Sequence, residues 1–170
     1  MRTIGVAIAI PEPYGSELQQ HRESFGDAQA VAIPSHVTLL PPTDVDDANL
    51  DQVEKHLDLV ASSHAPFRLR LRGTATFRPV SPVVFVVVAV GISSCEVLAG
   101  RVRQGRLSQD LRFPYHPHVT VAHDLDDASL DHAFEALAGF DCAFEVGSFH
   151  LYTHDEDGVW RPSREFVLKG

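Results

Sequence analysis

Ser35-His36-Val37-Thr38-Leu39-Leu40 and Pro117-His118-Val119-Thr120-Val121-Ala122 carry the same tripeptide, His-Val-Thr, each time inside an apolar run. A short apolar run bounded by proline or polar residues reads as a strand. In a strand, residues i and i+2 leave the same face. Each copy therefore aims an imidazole and a hydroxyl in one direction and turns its valine the other way. Two imidazoles supply one base and one acid near neutral pH, and two hydroxyls can donate to an anion held between them. That set covers most of what phosphodiester cleavage without a metal requires.

Working outward, residues 3–10 are rich in Ile, Val and Ala and read as a buried strand. Residues 13–28 carry Leu18 and Phe25 at a helical spacing. The strand bearing the first motif is expected to end at Pro41-Pro42. Residues 46–63 place Leu50, Val53, Leu57 and Val60 at steps of three and four, an amphipathic helix with Asp46 or Asp47 as its cap. Residues 67–71 alternate apolar and basic, a strand wet on one face. A loop, residues 77–82, leads into the Val-rich strand 83–90. A helix over 93–107, capped by Ser93 or Ser94, precedes the second motif strand, and another helix covers 129–137. Two long strands, 140–154 and 159–168, close the chain around an Asp-Gly turn at 155–158. Strand, helix, motif strand, helix thus occurs twice, which points to two similar lobes that each contribute one motif to a central cleft.

With 170 residues, 44% hydrophobic and 22% charged, the chain has the balance of a globular protein with a good core. Its net charge of -9 argues against an extended, sequence-independent nucleic-acid surface. A small nucleotide or an RNA end remains compatible, because one positive pocket can sit in an acidic protein. The longest apolar run, 83–90, falls short of the ~20 residues of a spanning helix, so no membrane partner is expected. Cys95 and Cys142 are isolated in sequence and read as free buried thiols of a reducing, cytoplasmic protein. A monomer is the default.

The segments His36-Val37-Thr38-Leu39 and His118-Val119-Thr120-Val121 resemble the paired His-x-Thr-x motifs of the two-histidine phosphoesterase superfamily, which includes bacterial 2'-5' RNA ligases and 2',3'-cyclic phosphodiesterases. The order of elements fits along nearly the whole chain, including the Phe77-Arg78-Pro79 loop and the closing hairpin. The resemblance implies an α+β, bilobal, pseudo-twofold fold, with two antiparallel sheets lining a central cleft and helices packed outside. It implies a single two-lobed phosphoesterase domain over residues 1–170 and metal-independent cleavage of cyclic phosphodiesters, with reversible 2'-5' ligation as a further activity. Carried over by position, His36 and His118 are the catalytic pair and Thr38 and Thr120 the phosphate ligands. In hydrolysis the second histidine of such pairs usually acts as base and the first as acid.

An acidic chain also needs a cation for its phosphate. Arg78, Arg161 and Arg164 lie in the loop and hairpin that flank the cleft in relatives, and Arg78 and Arg161 are taken as further phosphate ligands. Tyr152 and Phe77 are candidates for stacking on a base. His116, His118 and His123 spell H-x-H-x4-H, but no carboxylate or cysteine stands at a convincing ligand spacing. No metal and no cofactor is expected, and His116 reads as a rim residue. Asp124, Asp126 and Asp127 read as a solvated loop or helix cap, and Arg101, Arg103 and Arg106 as the wet face of a helix. The alternative is a nucleotide- or RNA-end-binding module of the same fold with little or no turnover. Loss of either histidine would have favoured it, and both motifs are complete.

Overall fold

The computed structural model describes all 170 residues. In chain order it contains β1 (Arg2–Ala9), α1 (Tyr14–Ser24), β2 (His36–Val45), α2 (Leu50–Ser62), β3 (Phe67–Thr76), β4 (Val83–Val90), α3 (Ile92–Val102), β5 (His118–His123), α4 (Asp127–Ala136), β6 (Asp141–Val146), β7 (Ser148–His154) and β8 (Trp160–Val167). The strands form two antiparallel four-stranded sheets, ordered β2-β1-β7-β8 and β5-β4-β3-β6. Each motif strand is the outer strand of its sheet, paired to the apolar strand that began its half: β2 to β1, and β5 to β4. The duplication read from element order is therefore a real pseudo-twofold.

The helices follow from their apolar spacing. Val53, Leu57, Val60 and Ala61 form the buried stripe of α2. Cys95, Leu98, Ala99 and Val102 do the same for α3, whose N-cap is Gly91 with φ 101°. Because the helix already begins at Ile92, Ser93 and Ser94 lie inside its first turn and neither serves as the cap. A Cβ on Gly91 would also come within 2.8 Å of the Arg68 carbonyl. Asp46 caps not α2 itself but the 3-10 turn Asp47–Asn49 that leads into it, accepting from the Ala48 amide, and Asp126 caps α4 through the Ser129 amide. α1 packs against β5 and α3 against β2, so each lobe's first helix lies on the other lobe's motif strand. One continuous apolar core runs through both halves, from Ile4 and Leu39 to Val119 and Phe166.

Three expectations are corrected. Pro41 and Pro42 do not end the first motif strand, which runs on to Val45. β2 lies at a sheet edge and bulges there, Leu40 facing Val6 and Thr43 facing Ile4, so neither proline is required as a ladder donor. The long strand expected over 140–154 is two strands in different sheets: β6 joins β3, β7 joins β1, and Gly147 stands between them. The helix expected over 93–107 ends at Val102, and a short 3-10 turn, Gly105–Leu107, follows.

Candidate active site

β2 and β5 present the two motifs at the seam between the sheets. Val37, Val119, Leu39 and Val121 are fully buried in the core, and the alternate residues His36, Thr38, His118 and Thr120 are partly exposed on the opposite face. Both imidazoles are oriented by the same device. His36 Nδ1 lies 2.7 Å from the Pro34 carbonyl, and His118 Nδ1 lies 2.7 Å from the His116 carbonyl, each two residues back. A carbonyl only accepts, so each Nδ1 carries the proton and each Nε2 is left with a lone pair when the ring is neutral.

Burial disfavours the charged form of both rings. The His36 pKa falls from 6.5 to about 4, chiefly through desolvation, partly offset by the Pro34 carbonyl and reinforced by the nearby charges of Arg22 and His118. His118 is also lowered by desolvation, against the pull of the His116 carbonyl and with the help of the His116 charge. Its apolar setting is visible: the Phe77 ring meets it edge-on at 5.0 Å, and the Phe85 ring stands at 5.2 Å. Both rings are therefore mainly neutral at pH 7 in the unliganded protein.

The two lobes differ in what lies beside their motif. Ala7 pairs with Thr38 in the first sheet, and Phe85 pairs with Thr120 in the second. Tyr152 pairs with Gly5, and Phe77 bonds to Val83 at the matching place on the other side. The two aromatic candidates thus occupy corresponding positions. Where Phe85 packs on Phe77 at 4.4 Å, Gly5 and Ala7 leave room. The result is a pocket of about 130 Å³ lined by His36, Thr38, Gly5, Ala7, Tyr152 and Trp160. A Cβ at Gly5 would stand 3.3 Å from the Trp160 ring. Burial keeps the Tyr152 phenol protonated by raising its pKa. A second recess, about 400 Å³, opens on the other side of Thr38 and reaches His118, His116 and Tyr115.

Each lobe also grips the other's motif strand. The Tyr115 hydroxyl, from the loop before β5, donates to the Thr38 carbonyl at 2.7 Å. Asp27, from the segment before β2, accepts from the His123 amide at the end of β5 at 3.0 Å. Asp27 is buried, and its carboxylate also holds the buried Arg22 Nε at 2.8 Å and the Gln29 amide at 2.9 Å. These reciprocal bonds fix the spacing of the two motif strands.

The expected cations lie elsewhere. Arg78 pairs with Asp131 at 2.9 Å and Asp127 at 3.6 Å on α4, and its Nε donates to Thr76. Arg161 follows Trp160 and so leaves the opposite face of β8; Asp155 and Asp157 hold it, each at 2.7 Å. Arg164 pairs with Asp58 and Glu54 on α2. No three His, Cys, Asp or Glu side chains, His116, His118 and His123 included, converge in metal-binding geometry. Trp160, Tyr115 and Asp27 escaped the sequence reading. A lone tryptophan beside the Asp-Gly turn, and a glycine inside an apolar strand, were the available signals for the first pocket.

A family model described as the 2'-5' RNA ligase superfamily matches residues 10–158. The chain belongs to that superfamily. Among proteins similar in sequence, one of Geobacillus kaustophilus that carries the provisional name phosphoesterase is 26% identical over 168 residues, covering 98% of this chain and 96% of its own. A similarly named protein of Geobacillus sp. strain WCH70 is 28% identical over the same span. TT0787 of Thermus thermophilus superposes with a TM-score of 0.66 at 22% identity, covering 100% of this chain and 99% of the other. E. coli LigT, also solved with 3'-AMP, superposes at 0.66 and 20% identity, over 99% of both chains in that complex. At such identities the solved structures establish the shared fold, and the family match establishes the 2'-5' RNA ligase superfamily.

Proposed function

We propose that this protein is a metal-independent cyclic phosphodiesterase that opens 2',3'-cyclic phosphates of nucleotides or RNA ends, acting as one two-lobed domain over residues 1–170. The observation that carries the reading is the matched pair of imidazoles, each locked through Nδ1 to a carbonyl two residues back so that Nε2 is free. One Nε2 takes a proton from water as the water oxygen bonds to phosphorus. The other, protonated, delivers its proton to the ribose oxygen as the P–O bond breaks. The products are a phosphomonoester and a free ribose hydroxyl, and one proton has passed from one imidazole to the other. The Thr38 and Thr120 hydroxyls donate to the non-bridging oxygens, where charge builds in the transition state.

The phosphate itself supplies what the unliganded site lacks. An anion beside two neutral imidazoles raises their pKa values and recruits the one proton that the reaction needs. The first pocket suits a base: Tyr152 and Trp160 offer apolar faces beside His36 and Thr38. Phe77, wedged between Phe85 and His118, serves as a wall that keeps His118 dry. Ligation runs the same proton transfers in reverse, with a ribose hydroxyl in place of water. That E. coli LigT was solved with 3'-AMP fits a nucleotide in this cleft.

The test offers nucleoside 2',3'-cyclic phosphates to the purified protein in EDTA and types the products as 2'- or 3'-phosphate. Turnover that collapses in His36→Ala and His118→Ala supports the reading. Absence of turnover across all bases, with retained nucleotide binding, transfers the fold to the binding-module alternative.

A further inference from the structure

The two recesses that meet at Thr38 are chemically unlike. The one beside His36 is aromatic and carries no cation, whereas the one beside His118 is lined by Arg103, Gln109 and Arg112. Arg103 and Arg112 pair with no carboxylate, while Arg78, Arg161 and Arg164 each pair with two. Both are instead laid on aromatic rings: the Arg103 guanidinium is 5.4 Å from the Tyr115 ring centre, and that of Arg112 is 5.3 Å from Phe113. A guanidinium attracted to a ring face needs no carboxylate partner, which leaves N–H groups available to a phosphate oxygen. Arg103 spends its Nε on the Ala99 carbonyl and retains its terminal nitrogens. Because the Tyr115 hydroxyl bonds to the Thr38 carbonyl, Arg103 stands one aromatic ring away from the first motif strand. Asp110 also lines the recess, which opposes an anion and sets a limit on how strongly one binds.

We infer that the Arg103–Arg112 recess is a second anion subsite, which holds the phosphate next along the substrate from the cyclic one. The inference rests on the proposed cyclic phosphodiesterase activity and narrows its substrate class. The favoured substrate carries a cyclic phosphodiester and, one linkage away, a further phosphate on the His118 side. Two sources share that chemistry: the backbone phosphate of an oligonucleotide, and the pyrophosphate of a nucleoside-diphosphate sugar. In a chain of net charge -9, two arginines give a short, local contact rather than an extended track.

The experiment compares kcat/KM for a nucleoside 2',3'-cyclic phosphate, a dinucleotide ending in a 2',3'-cyclic phosphate, and a nucleoside-diphosphate ribose bearing a cyclic phosphate. It uses the full chain and its Arg112→Gln and Arg103→Gln/Arg112→Gln variants. A charge-assisted phosphate contact predicts that the wild type prefers a substrate with the second phosphate by about tenfold, mostly in KM. That ratio should fall toward one in the double variant and shrink as salt is raised. Preference for the dinucleotide assigns the backbone phosphate, and preference for the diphosphate sugar assigns the pyrophosphate. Equal use of all three substrates by the wild type, or a preference that survives the double variant, overturns the subsite. Arg112 is exposed, so Arg112→Gln gives a partial drop even if the variant at Arg103 does not fold. If no substrate turns over, the activity reading fails, and calorimetry then decides the subsite separately. A dinucleotide 3'-phosphate that binds more tightly than a mononucleotide 3'-phosphate, with the difference lost in the double variant, sustains it. Equal binding rejects it.

Discussion

Acid titration separates this site from a pair of ordinary histidines. Its perturbation is pH, and its magnitude comes from the burial of His36, whose pKa is pushed down from 6.5 to about 4. At pH 7 an ordinary imidazole carries a proton about one time in four, whereas His36 in the free protein carries one on the order of once in a thousand. His118 is lowered as well, so it titrates below 6.5. The singly protonated pair that acid-base catalysis needs is therefore most abundant in the free protein on the acid side of neutrality. We expect kcat/KM to peak between about pH 4 and the His118 value, then to fall about tenfold per pH unit above it. The bound phosphate favours imidazolium, so the basic limb of kcat should lie at higher pH than that of kcat/KM. The sign for stability follows from the same shift. An unfolded chain takes up the proton that folded His36 refuses, so stability is lost as pH falls from 6.5 toward 4, by at most about 3 kcal/mol from this group. The assay is a pH–rate series on a nucleoside 2',3'-cyclic phosphate, with imidazole titration followed by NMR. A ligand-free His36 that titrates at or above 6.5 would show that burial does not hold this imidazole neutral.

Other outcomes follow from the packing. Asp27→Ala leaves Arg22 buried without its partner and the His123 amide without its acceptor, and should cost about 3–5 kcal/mol, read from denaturant midpoints. Replacing Arg22 by methionine in that background should restore part of the loss; a further loss instead would mean that the pair is not what Asp27 supports. Tyr115→Phe removes one half-buried hydrogen bond to Thr38 and should cost about 1 kcal/mol of stability. A Tyr115→Phe protein with unchanged stability and unchanged kcat/KM would show that the bond does not hold the motif strand. Ala7→Phe should close the 130 Å³ pocket by imitating Phe85, raising KM for a cyclic nucleotide more than it lowers kcat, and an unchanged KM would place the base elsewhere.

How much the sequence reveals depends on whether the deciding contact is local. The motif strands are legible because i, i+2 alternation is intrinsic to an extended chain, and α2 is legible because its apolar stripe repeats every three or four residues. Pro41-Pro42 misleads because its meaning depends on β2 lying at a sheet edge, which only the assembled sheet shows. The split at Gly147 is hidden for the same reason: β6 and β7 are both extended, and only their partners differ. Arg78 and Arg161 show the limit most plainly. Their positive charge is visible in sequence, but the carboxylates that occupy them come from α4 and the hairpin turn. Tyr115 and Asp27 each act on a strand of the opposite lobe, 77 and 96 residues away in sequence, where no local pattern can point.

The most direct test of the two-histidine site is hydrolysis of a nucleoside 2',3'-cyclic phosphate in EDTA by the wild type, His36→Ala and His118→Ala. We expect metal-independent turnover in the wild type and a drop of about 100-fold or more in each variant, with the fold retained. Turnover that persists in either variant, or that vanishes from the wild type when EDTA is added, contradicts this expectation.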